Sequence, residues 1–336
     1  MRYVLKDSGS IQHKLGTSDN ILVTLLYTCH LDNMEHDGTN VNMNEQVQQQ
    51  ETTRATRECP KDRDILRSRG LMVGESLGYG SYSKVKFAIE TKTMRKIAVK
   101  IIDRRKAPRD FLQNFLPREL DILPNLKHEG IILTYGYFEE NNKIFITQEL
   151  AENGDMLTYI RGAGSALPER LAKQWILEMT EALDYLNKQC LVHRDLKCEN
   201  ILLDSNMHVK IGDFGFARKI GEHELSKTYC GSAAYAAPEI LQSLPYSPAK
   251  SDIWALGVIM YILTCGEMPF GDDSMNVSKI LHRQMDGIRF PLLRRITPEC
   301  RKLIEAMLTI DPDKRINLEG VLASAWLNPP DNKTPN

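Results

Sequence analysis

The pattern of apolar and polar positions divides the chain into a polar beginning and a long, regularly patterned remainder. Residues 1–65 are mostly polar, and the stretch NVNMNEQVQQQETTRATRE has neither a period of 3.6 nor one of 2, which predicts a disordered extension. From Leu71 the pattern changes: LMVGESLGYG, SKVKFAIE and RKIAVKIID predict three successive strands with turn residues between them. KIFITQEL predicts a further strand.

One helix is predicted between these strands. The segment DFLQNFLPRELDILPNL places Phe111, Phe115, Leu120 and Leu123 near one face. Pro117 disturbs its middle, so we expect the main helical run to begin at that proline. The strands and this helix together describe a small, mostly antiparallel sheet that carries one helix.

The chain turns helical after the short loop AENGD. LPERLAKQWILEMTEALDYLNKQ has Pro168 at the first helical position and an apolar stripe formed by Leu171, Trp175, Met179, Ala182, Leu183 and Leu186. SDIWALGVIMYILTCG is apolar nearly all round, which predicts a helix in the core of a large lobe, and PECRKLIEAMLTI predicts another helix. We therefore expect an α+β chain with a small β-rich lobe (71–149), a larger helical lobe (153–327) and a short tail (328–336), and a ligand in the cleft between the lobes.

Composition and charge narrow the range of partners. The chain has 336 residues, 42% of them hydrophobic, and 43 basic against 44 acidic side chains, so no overall basic field favours nucleic acid or an anionic membrane. Seven cysteines are an odd number without zinc-type spacing, which favours reduced thiols in the cytoplasm or nucleus. The apolar run ILVTLLYTCHL is too short to cross a bilayer.

The stretch GYGSYSKV, residues 78–85, is the first candidate for chemistry. Gly78 and Gly80 permit a close approach to phosphate, although a glycine pair between strands is more often a plain turn. A third glycine is missing, because Ser83 stands in its place. The phosphate loop G-x-x-x-x-G-K-[ST] and the strand–G-x-G-x-x-G–helix dinucleotide motif are both absent from the sequence.

Other polar residues stand between apolar runs. Lys100 lies inside the apolar strand IAVKII, where it needs an anionic partner such as Glu119 unless it simply extends to solvent. In LVHRDLKCENILLD, Asp195 can accept a proton from a hydroxyl nucleophile, Lys197 can neutralise a moving phosphoryl group, and Asn200 can bind Mg²⁺. Asp213 in VKIGDFGFAR follows a short strand and offers a second oxygen ligand for metal.

These motifs together resemble a known family. G-x-G-x-x-x-x-V, A-V-K, H-R-D-L-K-x-x-N, D-F-G and A-P-E occur in the order and at the intervals of the protein-kinase signature set, over residues 71–327. The lysine at position 197, two residues after H-R-D, resembles the pattern found in serine/threonine kinases rather than that of tyrosine kinases. The segments SLGYGSYSKVK, FLPRELDIL and above all TYCGSAAYAAPE resemble the testis-specific serine kinase family, near the calmodulin-dependent kinases, which also commonly lacks the third glycine.

The resemblance implies a bilobal protein-kinase fold and a role for each matching residue. Lys100, paired with Glu119, would contact the α and β phosphates of ATP, and Lys197 the γ phosphate. Asp195 would be the catalytic base, and Asn200 and Asp213 would hold Mg²⁺. The loop over the nucleotide would comprise Leu77, Gly78, Tyr79, Gly80, Ser81, Tyr82, Ser83 and Val85.

The resemblance also places the nucleotide's base and sugar. Leu77, Val85 and Ala98 would cover adenine from above, with Leu202 as the floor, and Gln148 would be the gatekeeper. Backbone groups of Glu149 and Ala151 would meet adenine and Asp155 the ribose. His193 would shape the catalytic loop through hydrogen bonds rather than transfer protons.

Substrate preference and control follow from the same resemblance. Asp155 and Glu199 would meet an arginine upstream of the target residue, although both can be plain solvated charges. Arg194 and Arg218 would bind phosphate on Thr228, which otherwise is an unmodified loop residue, and Ser232 would connect this segment to Asp195 and Lys197. The chain ends shortly after SAWLNPP, so we expect regulation by phosphorylation, including by an upstream kinase, or by partners, not by a C-terminal calmodulin-binding helix.

We therefore predict a monomeric, ATP- and Mg²⁺-dependent serine/threonine protein kinase, located in the cytoplasm and also in the nucleus, with a role in sperm development and protein substrates. In the large lobe, Glu239 and Arg315 are expected to form a buried ion pair, and Asp252 to brace the catalytic loop. The alternative is a pseudokinase scaffold that binds nucleotide or partners without catalysis. That alternative predicts the loss of Lys100, Asp195, Asn200 or Asp213, and all four are present.

Overall fold

The computed structural model describes residues 61–329 except 165, 222–223, 229 and 293–294. Residues 1–60 of the extension that was predicted to be disordered therefore lie outside the described residues. The first described element, the helix α1, Asp62–Ser68, includes residues 62–65 of that predicted extension.

Strands dominate the first lobe and helices the second. The strands are β1 Leu71–Tyr79, β2 Ser83–Glu90, β3 Arg95–Asp103, β4 Thr134–Glu140, β5 Lys143–Glu149, β6 Leu191–Val192, β7 Ile201–Leu203, β8 Val209–Ile211 and β9 Arg218–Lys219. The other α-helices are α2 Leu116–Ile122, α3 Met156–Ala163, α4 Glu169–Lys188, α5 Pro238–Leu241, α6 Pro248–Cys265, α7 Val277–Met285, α8 Pro298–Met307 and α9 Leu318–Leu322.

The small lobe is a five-stranded antiparallel sheet with the order β1-β2-β3-β5-β4. The four strands predicted from runs bounded by turn residues are all present. β4 was not predicted, because Gly136 breaks the alternation at a bulge between Thr134 and Gly136. β4 is also an edge strand with several half-exposed side chains, so its apolar pattern is weak.

The helix α1 packs on one face of the sheet and was also missed by the sequence analysis. Only Ile65 and Leu66 are buried in it, at 2% and 0% exposure, and they join Leu71 and Phe145 in a small apolar cluster. Two apolar residues among charged neighbours are too few to show a helical period. Asp62 in its first turn bonds the Lys84 and Lys143 ammonium groups, each at 2.6 Å, which ties the helix to the starts of β2 and β5.

The helix α2 lies on the other face and is short and flanked by irregular turns. A π-helical turn, Phe111–Phe115, precedes it and a 3₁₀ turn, Leu123–Asn125, follows it. The main helix begins at Leu116, beside the predicted proline, so this expectation is confirmed. The buried face is different from the predicted one: Leu116, Glu119 and Ile122 point inward, whereas Phe111, Phe115 and Leu120 are only partly buried and only Leu123 was predicted correctly. The π turn changes the register that a uniform helical period assumes.

The large lobe is built around α6. Sixteen of its eighteen residues are buried, as predicted for a helix that is apolar nearly all round, and it ends at Gly266, whose φ of 83° is the left-handed conformation that glycine adopts without strain. α4 packs against it through the predicted stripe, except that Ala172 and Ile176 are more buried than Leu171. Within the described part of the chain, no helix has the length and apolar character that a membrane span requires.

One buried ion pair connects the elements of this lobe. The Arg315 guanidinium donates to both Glu239 carboxylate oxygens, at 2.8 and 3.0 Å, and its remaining N–H groups reach backbone carbonyls of Thr309, Lys250 and Ile310. The predicted pair of Glu239 and Arg315 is therefore present. Because every donor of the guanidinium group has an acceptor nearby, the desolvation of the two charges is offset.

The contact of Asp62 with two lysines generates a test of how α1 is held. Burial alone would raise the pKa of Asp62, but hydrogen bonds from Lys143 and Lys84 outweigh it and hold the pKa below its ordinary value. A lowered folded-state pKa stabilises the fold at pH values above the unfolded pKa, and the stabilisation is lost as the pH falls through the folded pKa. We expect Asp62→Asn to lower the free energy of unfolding at pH 7 by about 2 kcal/mol.

Asp64→Asn is the matched control, because Asp64 lies in the same helical turn and is exposed. Denaturant unfolding of the full chain at several pH values measures both variants. The difference between Asp62→Asn and the wild type is expected to shrink as the pH falls below about 4. An equal loss in both variants, or a difference that does not depend on pH, would contradict this role of Asp62.

Candidate active site

Lys100 connects the small lobe to the large one. Its ammonium lies 2.9 Å from Glu119 Oε1 on α2 and 3.0 Å from Asp213 Oδ1 after β8. The predicted pair with Glu119 is present, and the contact with Asp213 was not predicted. Burial alone would lower the pKa of Lys100, but the Asp213 and Glu119 carboxylates raise it above its ordinary value, so the ammonium stays charged.

The catalytic loop presents Asp195 with its side chain held from one side. The Asn200 amide donates to the Asp195 carbonyl at 2.8 Å and to its Oδ2 at 3.0 Å, and Lys197 Nζ lies 3.3 Å from the same oxygen. Within the part of the chain that the structure describes, the buried Asp195 Oδ1 has no hydrogen-bond partner. One carboxylate oxygen is therefore fixed, and the other is left for a ligand.

The pairing of β7 with β8 explains why Asn200 and Asp213 meet. Ile201 pairs with Ile211, so the residue before β7 stands opposite the residue after β8. The Gly212 N–H accordingly donates to the Asn200 carbonyl at 2.8 Å, and Asp213 is the next residue. A two-stranded hairpin thus carries both residues at one end, although thirteen positions separate them in the sequence.

The two aspartates have opposite electrostatic environments. Burial raises the pKa of Asp195 to about 6, and Lys197 opposes this change only in part. The Lys100 ammonium lowers the pKa of Asp213 to about 2, although burial acts in the other direction. A carboxylate with a raised pKa accepts a proton more readily, whereas one with a lowered pKa stays ionised as a cation ligand does.

Two of the eight non-glycine residues that have positive φ angles in the described part of the chain lie at the same site. Arg194 and Asp213 have positive φ angles, 67° and 52°, which cost non-glycine residues about 1–3 kcal/mol each. Asp252 of α6 holds the first of them, because its carboxylate accepts the N–H groups of His193 at 2.8 Å and Arg194 at 2.9 Å. The predicted bracing by Asp252 is therefore present.

His193 has the structural role that was predicted. Its Nδ1 accepts the Asp195 N–H at 3.3 Å and its Nε2 donates to the Gly212 carbonyl at 3.0 Å, so both ring nitrogens are used within the loop. Burial lowers its pKa, which keeps the ring neutral. The imidazole therefore joins the catalytic loop to the segment that carries Asp213.

The glycine pair lies at the tip of the β1–β2 hairpin, which covers the cleft side of the sheet. Gly78 pairs with Val85, and the Gly80 N–H donates to the Ser83 carbonyl at 2.8 Å. A Cβ at Gly80 would lie 2.9 Å from Ser83 Oγ, so the serine side chain fills the space beside this glycine. The Tyr82 ring lies 4.6 Å from the Phe111 ring, so it packs on the turn before α2 rather than standing free at the tip.

The predicted adenine residues lie on β1, β2, β3, β5 and β7 and in the segment after β5. Ala98 pairs with Gln148 across β3 and β5, and Leu202 of β7 forms a β-bridge with Asp155. The Gln148 amide donates to Thr134 Oγ1 at 3.2 Å, which fixes the predicted gatekeeper against β4. Of the other predicted adenine residues, Leu77 is half exposed, and Val85 pairs with Lys100 across β2 and β3. Glu149 is the last residue of β5, and Ala151 lies in the connecting segment that follows.

Comparison with known proteins identifies the family. The protein kinase domain model matches residues 71–327, which is most of the chain. The chain belongs to the protein kinase family. The predicted α+β bilobal kinase fold is confirmed by this match and by the five-stranded sheet with its helical second lobe.

The relatives of this kinase are serine/threonine kinases by name. Testis-specific serine/threonine-protein kinase 2 of Mus musculus is 46% identical over 276 residues, covering 80% of this chain and 76% of the relative. The human testis-specific kinases 3 and 4 are 42% and 40% identical, covering 79% and 78% of this chain and 98% and 84% of their own lengths. The predicted serine/threonine class and the resemblance to the testis-specific kinases are confirmed.

Arg218 of the activation segment, residues 213–239, lies close to Arg194 of the catalytic loop and to Arg118 of α2. Burial and the positive charges of Arg194 and Arg118 lower the pKa of Arg218, whose guanidinium also pairs with the Glu224 carboxylate. Thr228 is exposed, and its carbonyl accepts the Tyr246 hydroxyl at 2.9 Å. Tyr246 lies beside Arg194. Burial raises the pKa of Tyr246, and Arg194 acts in the opposite direction. Tyr246 is thus a neighbour of both the Thr228 carbonyl and Arg194.

Three residues around the kinase site were not predicted from the sequence: Gly231, Arg118 and Tyr246. Gly231 has a φ of 88°, and a Cβ there would lie 2.9 Å from Asp195 Oδ1 and from the Arg194 carbonyl, so only glycine fits against the catalytic loop. Its neighbour Ser232 accepts from Lys197 at 3.2 Å, which is part of the predicted connection. Arg118 and Tyr246 carry no local signal, because their contacts are tertiary.

Proposed function

We propose that this kinase transfers the γ-phosphoryl group of ATP to serine and threonine hydroxyls of protein substrates, with Asp195 as the base. The observation that carries the proposal is the buried and unpartnered Asp195 Oδ1, next to the Lys100 contact with Glu119 and Asp213. Its raised pKa, about 6, suits a group that must accept a proton near neutral pH. Lys197, 3.3 Å from the other oxygen, would carry the charge of the transferred phosphoryl group.

The residues present fit a magnesium ion that is shared with a nucleotide. The Asn200 amide nitrogen is bound to Asp195, which leaves its oxygen as a cation ligand, and the Asp213 carboxylate is about half exposed. Among the described residues no cluster of three or more histidine, cysteine or acidic side chains forms a complete metal site. This agrees with Mg²⁺, which proteins hold through one or two side chains together with phosphate oxygens and water. When bound, the ion would neutralise charge on the phosphates.

We also propose that arginine upstream of the acceptor residue favours a substrate. Burial raises the pKa of Cys198 to about 12, and the nearby Glu199 and Asp155 carboxylates add to the rise, so both acids flank one cysteine. Glu199 is exposed, with the Tyr235 hydroxyl at 3.5 Å. Asp155 accepts the N–H and hydroxyl groups of Thr158 and so begins α3, which leaves Glu199 as the freer of the two.

Phosphorylation of Thr228 is the proposed switch. The positive charges of Arg118 and Arg194 both act on Arg218, and the Glu224 carboxylate pairs with the Arg218 guanidinium. A phosphothreonine adds nearly two negative charges and three acceptor oxygens, which suits such a cluster. Because Arg118 adjoins Glu119 on α2 and Arg194 adjoins Asp195, phosphate there would draw both catalytic partners into place.

The names of the relatives support a role in the testis, and we propose that this kinase acts in sperm development as a monomer in the cytoplasm and nucleus. An upstream kinase would phosphorylate Thr228. Immunostaining of male germ cells and phosphoprotein comparison in testis extract, with active and inactive protein, test these points.

The catalytic proposal predicts that Asp195→Asn and Asp213→Asn each lower the rate of phosphate transfer on the order of a hundredfold or more, because each removes a charge that acts at the reacting groups. Radiolabelled transfer to a protein substrate measures the rate, and circular dichroism checks folding. Asp286→Asn, on the exposed end of α7, is the control. A signal from Asp213→Asn equal to that of the wild type would reject an active kinase and leave a scaffold.

The arginine proposal predicts that peptides with arginine placed upstream of serine have a severalfold higher kcat/KM than peptides with alanine there. Glu199→Gln should reduce this preference, since it removes the carboxylate but keeps the side-chain shape. Glu181→Gln, on the exposed side of α4, is the matched control. A peptide array without any basic preference would refute the proposal.

The Thr228 proposal predicts that phosphatase treatment lowers the activity of wild-type protein purified from eukaryotic cells and leaves Thr228→Ala unchanged at the low level. Arg218→Ala should also lose the phosphate-dependent gain, whereas Lys219→Ala, the neighbouring exposed cation, should keep it. Intact mass measurement follows the phosphate. Full activity of Thr228→Ala would show that the switch does not exist.

A further inference from the structure

A carboxylate outside the matched kinase domain contacts the strand that follows the nucleotide loop, residues 78–83. Asp62, the first residue of α1, lies before residue 71, where the match to the protein kinase domain model begins. Its Oδ2 lies 2.6 Å from Lys84 Nζ at the start of β2, and its Oδ1 lies 2.6 Å from Lys143 Nζ at the start of β5. Each oxygen pairs with a different lysine, so the carboxylate links two strands that are not neighbours in the sheet.

Lys84 lies at the base of the nucleotide loop. It pairs with Tyr79, and this is the last pair between β1 and β2 before the turn. Val85, the next residue, pairs with Lys100 and shares the cleft face of the sheet with it. Because successive side chains of a strand point to opposite faces, Lys84 points to the outer face, where Ala88 joins the apolar cluster beneath α1. A contact that holds the Lys84 side chain therefore also holds the backbone on which the loop stands.

The hairpin that carries the loop is held irregularly on its other side. β1 is an edge strand, and its pairing with β2 shifts register twice, between Val73 and Ser76 and between Ser76 and Gly78. The pairing of β2 with β3 is continuous, but the twist between paired strands varies widely, so backbone hydrogen bonds alone leave the end of a hairpin free to bend out of the sheet. A side-chain contact on the outer face restrains that bend.

The helix α1 is fixed to the sheet independently of Asp62. Two of its apolar side chains are buried in the cluster that it forms with the sheet. Directly after the helix, the Arg69 guanidinium pairs with the Glu140 carboxylate at 3.3 Å and lies 4.4 Å from the centre of the Phe138 ring. Because the helix is held at its middle and beyond its end, the Asp62 carboxylate is a fixed point, and its contact with Lys84 restrains the strand.

We propose that Asp62 is a positioning residue for the nucleotide: through Lys84 it holds the base of the nucleotide loop, so that the loop is in place before ATP binds. The inference rests on the proposed function, in which this loop covers the phosphates of ATP. A loop that is ordered in advance lowers the entropic cost of binding. Loss of the contact therefore weakens ATP binding, whereas the transfer step, which depends on Asp195 and Asp213, stays nearly unchanged.

The test uses the full chain. Calorimetric titration with a non-hydrolysable ATP analogue and Mg²⁺ gives the Kd, and radiolabelled phosphate transfer gives kcat and the KM for ATP. We expect Asp62→Asn and Lys84→Met each to raise the Kd and the KM about fivefold and to change kcat less than about twofold. The two variants change the net charge in opposite directions. A through-space effect of charge on the phosphates would tighten binding in Asp62→Asn, whereas loss of the contact weakens it in both variants.

Two lysines of the same sheet provide matched controls. Lys143→Met removes the other contact of Asp62 and leaves the one with Lys84, so it should destabilise the fold in denaturant about as much as Lys84→Met but change the Kd less than about twofold. Lys86→Met removes the same charge from the same face of β2, two residues further from the loop, and should also have little effect. The double variant Asp62→Asn/Lys84→Met should bind no more weakly than the weaker single variant, because both substitutions remove one contact.

Four results would overturn the positioning role and leave the proposed function intact. These are a wild-type Kd in Lys84→Met, an equal loss of affinity in Lys143→Met, tighter binding in Asp62→Asn, and additive losses in the double variant. The second would assign the effect to the general stability of the small lobe, and the third to charge alone. Absence of binding to the wild type at up to about 1 mM analogue would instead refute the proposed function, and this inference with it.

Discussion

The structure depends on the placement of the Lys100 ammonium between two carboxylates. The contacts with Glu119, at 2.9 Å, and with Asp213, at 3.0 Å, join a strand, a helix and a loop that are far apart in the sequence. Lys100 and Glu119 are both largely removed from water, and an unpaired buried ion costs several kcal/mol, so each needs the other, while the half-exposed Asp213 adds the contact from the large lobe. The small lobe and the large lobe therefore pack together in the arrangement that also assembles the catalytic cluster, and folding and function share one constraint.

The sequence predicts the parts of the fold that repeat a period and fails where a single residue interrupts it. β1, β2, β3 and β5 are strand-like runs with turn residues between them, and α6 is apolar nearly all round, so all were predicted. β4 was missed because of the bulge at Gly136 on an edge strand, and α1 because only Ile65 and Leu66 mark its buried face. The π turn before α2 shifts the helical register, and the propensities of its residues do not predict such a turn.

The residues of the candidate site likewise fall into those that the sequence predicts and those that it does not. Residues in short motifs, such as Asp195, Asn200 and Asp213, were predicted together because local sequence carries the resemblance. The Lys100–Asp213 contact and the place of Gly231 against the catalytic loop could not be predicted, since both arise from segments that meet only after folding. The pKa changes belong to this second group as well, because burial, which raises the pKa of Asp195, is a property of the whole lobe.

The catalytic loop and α2, on the two sides of the cleft, are held by different numbers of contacts. This difference indicates which of them regulation can move. The catalytic loop is bound to Asp252 of the fully packed α6, so any movement of Asp195 disturbs the core of the large lobe. Glu119 lies instead on the short α2, whose surroundings reach the solvent in two places: the Tyr82 ring on the preceding turn and Arg118 beside the activation segment. Shifting a seven-residue helix breaks few contacts, whereas rearranging a strained loop on a buried helix breaks many. The activity of this kinase is therefore expected to follow the position of α2, while the catalytic loop stays in place.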